Sequence, residues 1–157
     1  AIDTVLTLRS EDVIYLHQLV DTLKPRIANL PMKKPQYGLC HGDVDSSNAL
    51  VSVDGHIVLL DFDFCGLGWR AYDIACFLSD VQFSQWPPEV FQAFLAGYQE
   101  IRPLADEELA MLPLFQIVRN IWSLGIFATH VNEWGSLSDR FVNSMLTSIR
   151  SLEESLV

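Results

Sequence analysis

Two apolar, β-branched runs, Ala49-Leu50-Val51-Ser52-Val53 and His56-Ile57-Val58-Leu59-Leu60, flank an Asp54-Gly55 pair. No other stretch of this chain leaves the backbone so few choices. An Asp-Gly pair between such runs signals a two-residue type I′ hairpin. With Asp54 and Gly55 as the loop, Val53 faces His56, and counting outward sets Asn48 opposite Asp61. Directly opposed residues share a face with Cβ atoms about 5 Å apart, so both side chains are expected to reach one cation. Asp63 has the strand parity of Asp61 and would point the same way if the strand ran on. Asp43 sits five residues before Asn48, in a loop entered from the short strand Tyr37-Gly38-Leu39-Cys40.

This layout suits one chemistry. Magnesium takes oxygen ligands in near-octahedral geometry, often one or two carboxylates completed by substrate phosphates and water. Asn48 and Asp61 offer such a partial shell, and Asp43 could then accept or orient the proton of an attacking hydroxyl. General-base help contributes about 10²–10⁴-fold in rate; positioning and metal electrostatics supply the rest.

The pattern His41-Gly42-Asp43-x-x-x-x-Asn48, followed by the hairpin and Asp61-Phe62-Asp63, resembles the catalytic core of the aminoglycoside phosphotransferase/choline kinase family, whose fold is kinase-like. The resemblance implies Asp43 as catalytic residue. It implies Asn48 and Asp61 as the cofactor-binding magnesium ligands, with Asp63 a further metal-ligand candidate, and ATP and Mg²⁺ as cofactors. Arg70-Ala71-Tyr72-Asp73-Ile74-Ala75 is similar to the family's R-x-x-D-[LI]-A stretch, which implies a structural Asp73 that opens a helix and buttresses the catalytic loop. The wider segment looks closest to uncharacterised bacterial small-molecule kinases near the homoserine kinase and stress-response kinase branches. It is specific over about residues 37–78. Two departures stand out. Asp45 replaces a histidine that many members carry, and no Gly-rich phosphate loop or paired strand lysine precedes His41. The chain is therefore expected to be a single domain, 1–157, the C-terminal lobe of a longer phosphotransferase and inactive alone.

Composition bounds the remainder. Half the residues are hydrophobic and the net charge is −10, which argues against nucleic-acid or anionic-membrane binding, since phosphate contacts need clustered Lys and Arg. Cys40, Cys65 and Cys76 form no C-x-x-C and too few pairs for a disulfide framework, so free thiols in a reducing cytoplasm are expected. The apolar region from Pro113 to Val131 contains Gln116, Arg119, Asn120 and Ser123, and reads as a core helix rather than a membrane span.

The fold class expected is mainly α with one small β-hairpin (α+β). Ser10 is expected to cap a helix with the stripe Val13, Leu16, Val20, Leu23, Ile27 and Leu30, which Pro25 kinks or ends. A short helix follows from Ile74 to Leu78, with Asp73 as its cap. Further helices start near Pro88, stopped by Pro103, and near Asp106, interrupted by Pro113. A last one is capped by Ser138. His41 is expected to brace the loop and Asp45 to bond within it. Trp122, His130, Glu133 and Trp134 lie where relatives build acceptor pockets. Trp69 and Arg70 are expected to pack under the site.

The reading is an ATP-dependent phosphotransferase lobe acting on a small hydroxylated molecule. Its rivals are a non-catalytic pseudokinase or regulatory module and a metal-dependent hydrolase using His41, Asp43, Asp61 and Asp63. The hydrolase would need further histidines nearby, and His17, His56 and His130 form no such motif.

Overall fold

The computed structural model describes residues 9–129 and 139–156. Along the chain run helix α1 (Ser10–Ala28), strand β1 (Tyr37–Cys40), a 3₁₀ turn (Ser46–Asn48), strands β2 (Ala49–Val51), β3 (Ile57–Leu59) and β4 (Gly66–Trp69), then helices α2 (Arg70–Phe83), α3 (Pro88–Ile101), α4 (Asp106–Ala110), α5 (Leu112–Thr129) and α6 (Asp139–Glu154). The class is mainly helical with small antiparallel sheets, as expected. The expected cap at Ser138 lies outside the described residues. Contacts divide the chain into two compact units, residues 31–116 and the remainder.

In the unit built from both ends of the chain, α1 buries Leu16, Leu19 and Leu23, and α6 buries Val142, Met145, Leu146 and Ile149. Ile117 and Leu124 of α5 are buried with them. Charged and polar pairs rim this core: Tyr15 Oη donates to Glu153 Oε2 at 2.7 Å, Arg150 Nη2 to Asp12 Oδ1 at 2.7 Å, and Asn120 Nδ2 to Ser148 Oγ at 3.1 Å. Two expectations about α1 are corrected. Ser10 is its first helical residue, not its cap, and the cap residue, Arg9, makes no side-chain capping bond. Pro25 does not end the helix early; it runs on to Ala28. So close to the end, proline removes one helical N–H, while its carbonyl still accepts from Asn29 at 3.2 Å.

In the middle unit, β1 pairs antiparallel with β4, with Cys40 against Gly66 and Gly38 against Gly68. Strand β4 was not expected, because Gly66-Leu67-Gly68-Trp69 has only two side chains to signal it. Helix α2 follows directly and buries Ala71, Ile74, Ala75, Cys76 and Val81. It spans fourteen residues, longer than expected at both ends. Phe77 of α2 stacks on Phe94 of α3 at 4.3 Å between centroids, and Phe94 continues to Tyr98. Stretch Asp106–Phe127 is by length and composition long enough to cross a bilayer. Its buried Gln116, however, donates to Gln82 Oε1 at 2.8 Å, a polar bond that suits a protein core.

The α3–α4 connection is fixed by one buried ion pair. Arg102 grips Glu108 with both terminal nitrogens, at 3.0 and 2.8 Å, and also donates to Tyr98 Oη. Glu108 is 2 % exposed and takes the Ala105 N–H as well. Burial pushes its carboxyl up, but Arg102 and the Ala105 N–H outweigh that and hold it below the ordinary range. A lowered folded value means the pair stabilises the protein above the ordinary glutamate range, about 4.3. That contribution is lost as pH falls from there through the folded value. Glu108→Gln should therefore lower unfolding free energy by about 3 kcal/mol at pH 7, measured by urea denaturation. The loss should shrink as both proteins are titrated below pH 4.

Candidate active site

The hairpin forms one residue out of the expected register. Ala49 pairs with Leu59, Leu50 with Val58 and Val51 with Ile57. Ser52 and His56 close a three-residue loop of Val53, Asp54 and Gly55, with Gly55 at φ +85°. Such a loop, ending in a left-handed residue, is the next commonest hairpin after the two-residue form. Ser52 explains the choice. Its hydroxyl accepts the His56 N–H at 3.0 Å while its own N–H donates to the His56 carbonyl at 2.9 Å, so the longer loop leaves no terminal donor unmet.

The slip has a direct consequence for the ligand pair. Asn48 faces Leu60, whose N–H donates to the Asn48 carbonyl at 2.8 Å, and not Asp61. Asp61 lies one residue beyond and takes a left-handed φ of +56°, a conformation that aspartate tolerates better than most residues. Strand β3 has already ended at Leu59, and the Cys65 N–H closes a turn onto the Phe62 carbonyl. The parity argument for Asp63 therefore does not apply. The carboxylates of Asp61 and Asp63 are both exposed and accept no hydrogen bond among the described residues.

The catalytic-loop candidate is held from several sides. Asp73, in the first turn of α2, accepts the His41 N–H at Oδ2 (2.8 Å) and the Gly42 N–H at Oδ1 (2.9 Å). It buttresses the loop, as the resemblance implies, but it does not cap the helix; that position is Trp69. Two turns further along α2, Asp80 Oδ2 accepts the Ser46 N–H at 2.9 Å. Asp80 escaped the sequence reading because the helix was expected to end before it; its signal was the seven-residue spacing from Asp73, which puts both carboxylates on one helix face. Gly42 has φ +87°, and a Cβ there would collide with the Phe64 carbonyl oxygen, so this position excludes any side chain.

Within the loop, Asp45 accepts from the Ser47 and Asn48 N–H groups and from Ser47 Oγ, as expected of a residue bonding to its own turn. His41 is buried. Its Nδ1 accepts the Asp43 N–H at 3.3 Å, and Nε2 lies 2.8 Å from the Leu60 carbonyl. A carbonyl can only accept, so the ring proton sits on Nε2. The imidazole thus clamps the loop to the end of β3, with Phe62 packed on it at 4.4 Å between centroids.

Asp43 and Asn48 are brought together. Asn48 Nδ2 donates to the Asp43 carbonyl at 2.9 Å and to its Oδ2 at 3.2 Å. Both amide hydrogens being directed at Asp43, Asn48 Oδ1 remains as a hard oxygen donor. Among the described residues no group of three or more His, Cys, Asp or Glu could hold a metal by itself. The donor set of Asn48 Oδ1 with the carboxylates of Asp61 and Asp63 is nonetheless of the right kind for magnesium, which keeps waters and shares its shell with phosphates.

Trp69 and Arg70 pack beside β1: Trp69 Nε1 donates to the Pro31 carbonyl at 3.2 Å and Arg70 Nη1 to the Pro35 carbonyl at 2.9 Å. Trp122 lies under the Arg119 guanidinium at 4.6 Å. His130, Glu133 and Trp134 lie outside the described residues.

Comparison with known proteins bears on the family and the fold. Residues 6–112 match the model of the phosphotransferase enzyme family. An uncharacterised protein of Deinococcus radiodurans is 41 % identical over 104 residues, covering 64 % of this chain and 30 % of its own length. A homoserine kinase of Phenylobacterium zucineum is 30 % identical over 125 residues, covering 74 % and 37 %. Among solved structures, amicoumacin kinase hAmiN in complex with AMP-PNP, Ca²⁺ and Ami superposes with a TM-score of 0.73 at 27 % identity, over 92 % of this chain and 45 % of that one. The chain thus spans about a third of the length of the curated relatives it matches.

Burial raises the Asp73 carboxyl above its ordinary range, against the pull of the Gly42 and His41 N–H groups and of the His41 ring. Asp73→Ala should cost about 3 kcal/mol in urea unfolding, since a buried donor left unmet costs about 1–3 kcal/mol and two are exposed. Amide exchange at His41 and Gly42 should quicken with it. Asp63→Ala, at an exposed turn, should change stability by no more than about 0.5 kcal/mol.

Proposed function

Because this chain belongs to the phosphotransferase enzyme family, we propose that it is the catalytic lobe of an ATP-dependent enzyme that transfers the γ-phosphoryl group to a hydroxyl of a small molecule. The observation that carries this reading is the Asp43–Asn48 pair, a carboxylate and an amide locked to each other on a loop pinned by Asp73, Asp80 and His41. Phosphoryl transfer is mostly positioning and charge stabilisation, and it needs a base whose place does not wander. Relatives named as homoserine kinase and amicoumacin kinase support a small-molecule acceptor.

Asp43 would accept a hydrogen bond from the acceptor hydroxyl and hold its oxygen in line with the phosphorus, taking the proton as the new P–O bond forms and the bond from the γ-phosphorus to the bridging oxygen breaks, releasing ADP. Asn48, anchored through its amide nitrogen, and Asp61 would hold Mg²⁺, with Asp63 beside them; when bound, the ion neutralises the developing charge on the phosphate oxygens. His41 keeps Asp43 and the residue before Asp61 in fixed relation without touching substrate. ATP as donor argues for a cytoplasmic reaction.

The test is magnesium-dependent ATP consumption by the natural protein carrying these residues, screened over hydroxy-amino acids and amino alcohols. Asp43→Ala should lower kcat by at least about 10³-fold with the nucleotide Kd little changed. Asn48→Ala and Asp61→Ala should raise the magnesium concentration needed for half-maximal rate. Undiminished turnover by Asp43→Ala would remove Asp43 from its role. Nucleotide binding with no consumption across the panel would favour the non-catalytic module.

A further inference from the structure

The middle unit holds a second cluster of charged groups that phosphoryl transfer does not employ. Arg70, Tyr98, Ile101 and Arg102 line a cleft of about 550 Å³, a size suited to small molecules. Its two guanidiniums differ in state. Arg102 is neutralised by the bidentate grip of Glu108, whereas Arg70 has no carboxylate within ion-pair distance among the described residues. Arg70 is nevertheless held in place. Its Nη1 donates to the Pro35 carbonyl, and the guanidinium lies against Gly38, where a Cβ would come within 2.5 Å of Nη2. Nε and Nη2 have no protein acceptor among the described residues, and together they form the parallel fork that matches a carboxylate.

We propose that this cleft binds a small monocarboxylate with a short apolar body, the carboxylate seated on Arg70. The charge count favours a monoanion: the two guanidiniums and Glu108, whose carboxyl feels both of them, sum to one positive charge to be met. The Tyr98 ring and the Ile101 side chain, 89 % exposed, supply the apolar wall. A protein of net charge −10 repels anions at long range, so carboxylate binding here has to come from the fixed donors and not from a diffuse field. The inference concerns binding alone and does not depend on the phosphotransferase reading.

The test uses this chain, ¹⁵N-labelled, titrated with acetate, butyrate and hexanoate while the Arg70 Nε–Hε resonance is followed. Butyramide and inorganic phosphate are titrated in parallel. The expected result is a saturable shift with the carboxylates, tightening as the alkyl chain lengthens, and no saturable shift with butyramide. Ile101→Glu sets a like charge at the exposed wall, far from the fold's contacts, and should weaken butyrate at least tenfold. Arg70→Gln should abolish the response, read at the Tyr98 and Arg102 resonances. Since Arg70 also braces Pro35, Ile101→Glu decides the matter if Arg70→Gln unfolds. Equal shifts with butyramide, failure to saturate, tighter binding of phosphate than of butyrate, or undiminished binding by Ile101→Glu would each overturn the proposal.

Discussion

One carboxylate organises the loop proposed here as catalytic. Asp73 takes two consecutive backbone N–H groups, one on each oxygen, and so fixes the chain direction at His41 and Gly42. That direction lets the His41 ring reach the end of the hairpin and lets Gly42 pass close under Phe64. Neither contact survives a loop free to turn. The raised Asp73 value is the electrostatic cost of keeping this group out of water, and the hydrogen bonds it accepts offset part of that cost.

The loop is therefore a backbone held by side chains from elsewhere, rather than side chains projecting from a rigid element. Asp73 and Asp80 hold it from α2, His41 ties it to β3, and Asp45 closes its own turn. Asp43 and the Asn48 amide, the groups proposed for the chemistry, are placed by the sum of these bonds. Catalytic precision on a loop needs such support, because a loop has no hydrogen-bond ladder of its own.

Much of this was legible in the residues, and what was not has identifiable causes. The Asp54-Gly55 pair located a hairpin, but the Ser52 hydroxyl, which accepts the His56 N–H, chose a three-residue loop and moved the register by one. One residue is enough to turn every side chain over, so the expected facing of Asn48 and Asp61 failed although both residues lie where the hairpin begins and ends. Strand β4 was hidden by its glycines, and Asp80 by an underestimate of α2. The apolar periodicity of α1 and the Pro88 start of α3 were read correctly because each rests on local pattern alone. Buried Glu108 carried no such sign: its partner Arg102 lies across a helix boundary, where a charge pair looks like ordinary surface.

Helix α2 also acts as a ruler. Its two loop-holding carboxylates stand seven residues apart, nearly two full turns, so they face one way only while that count is kept. Adding or removing a single residue between them would rotate Asp80 by about 100° around the helix and carry it off the loop, although no bonded residue had been altered. The segment from 73 to 80 is thus constrained in length more strictly than in composition. A volume-conserving exchange at buried Ile74 or Cys76 leaves that facing intact, whereas an insertion or deletion there does not.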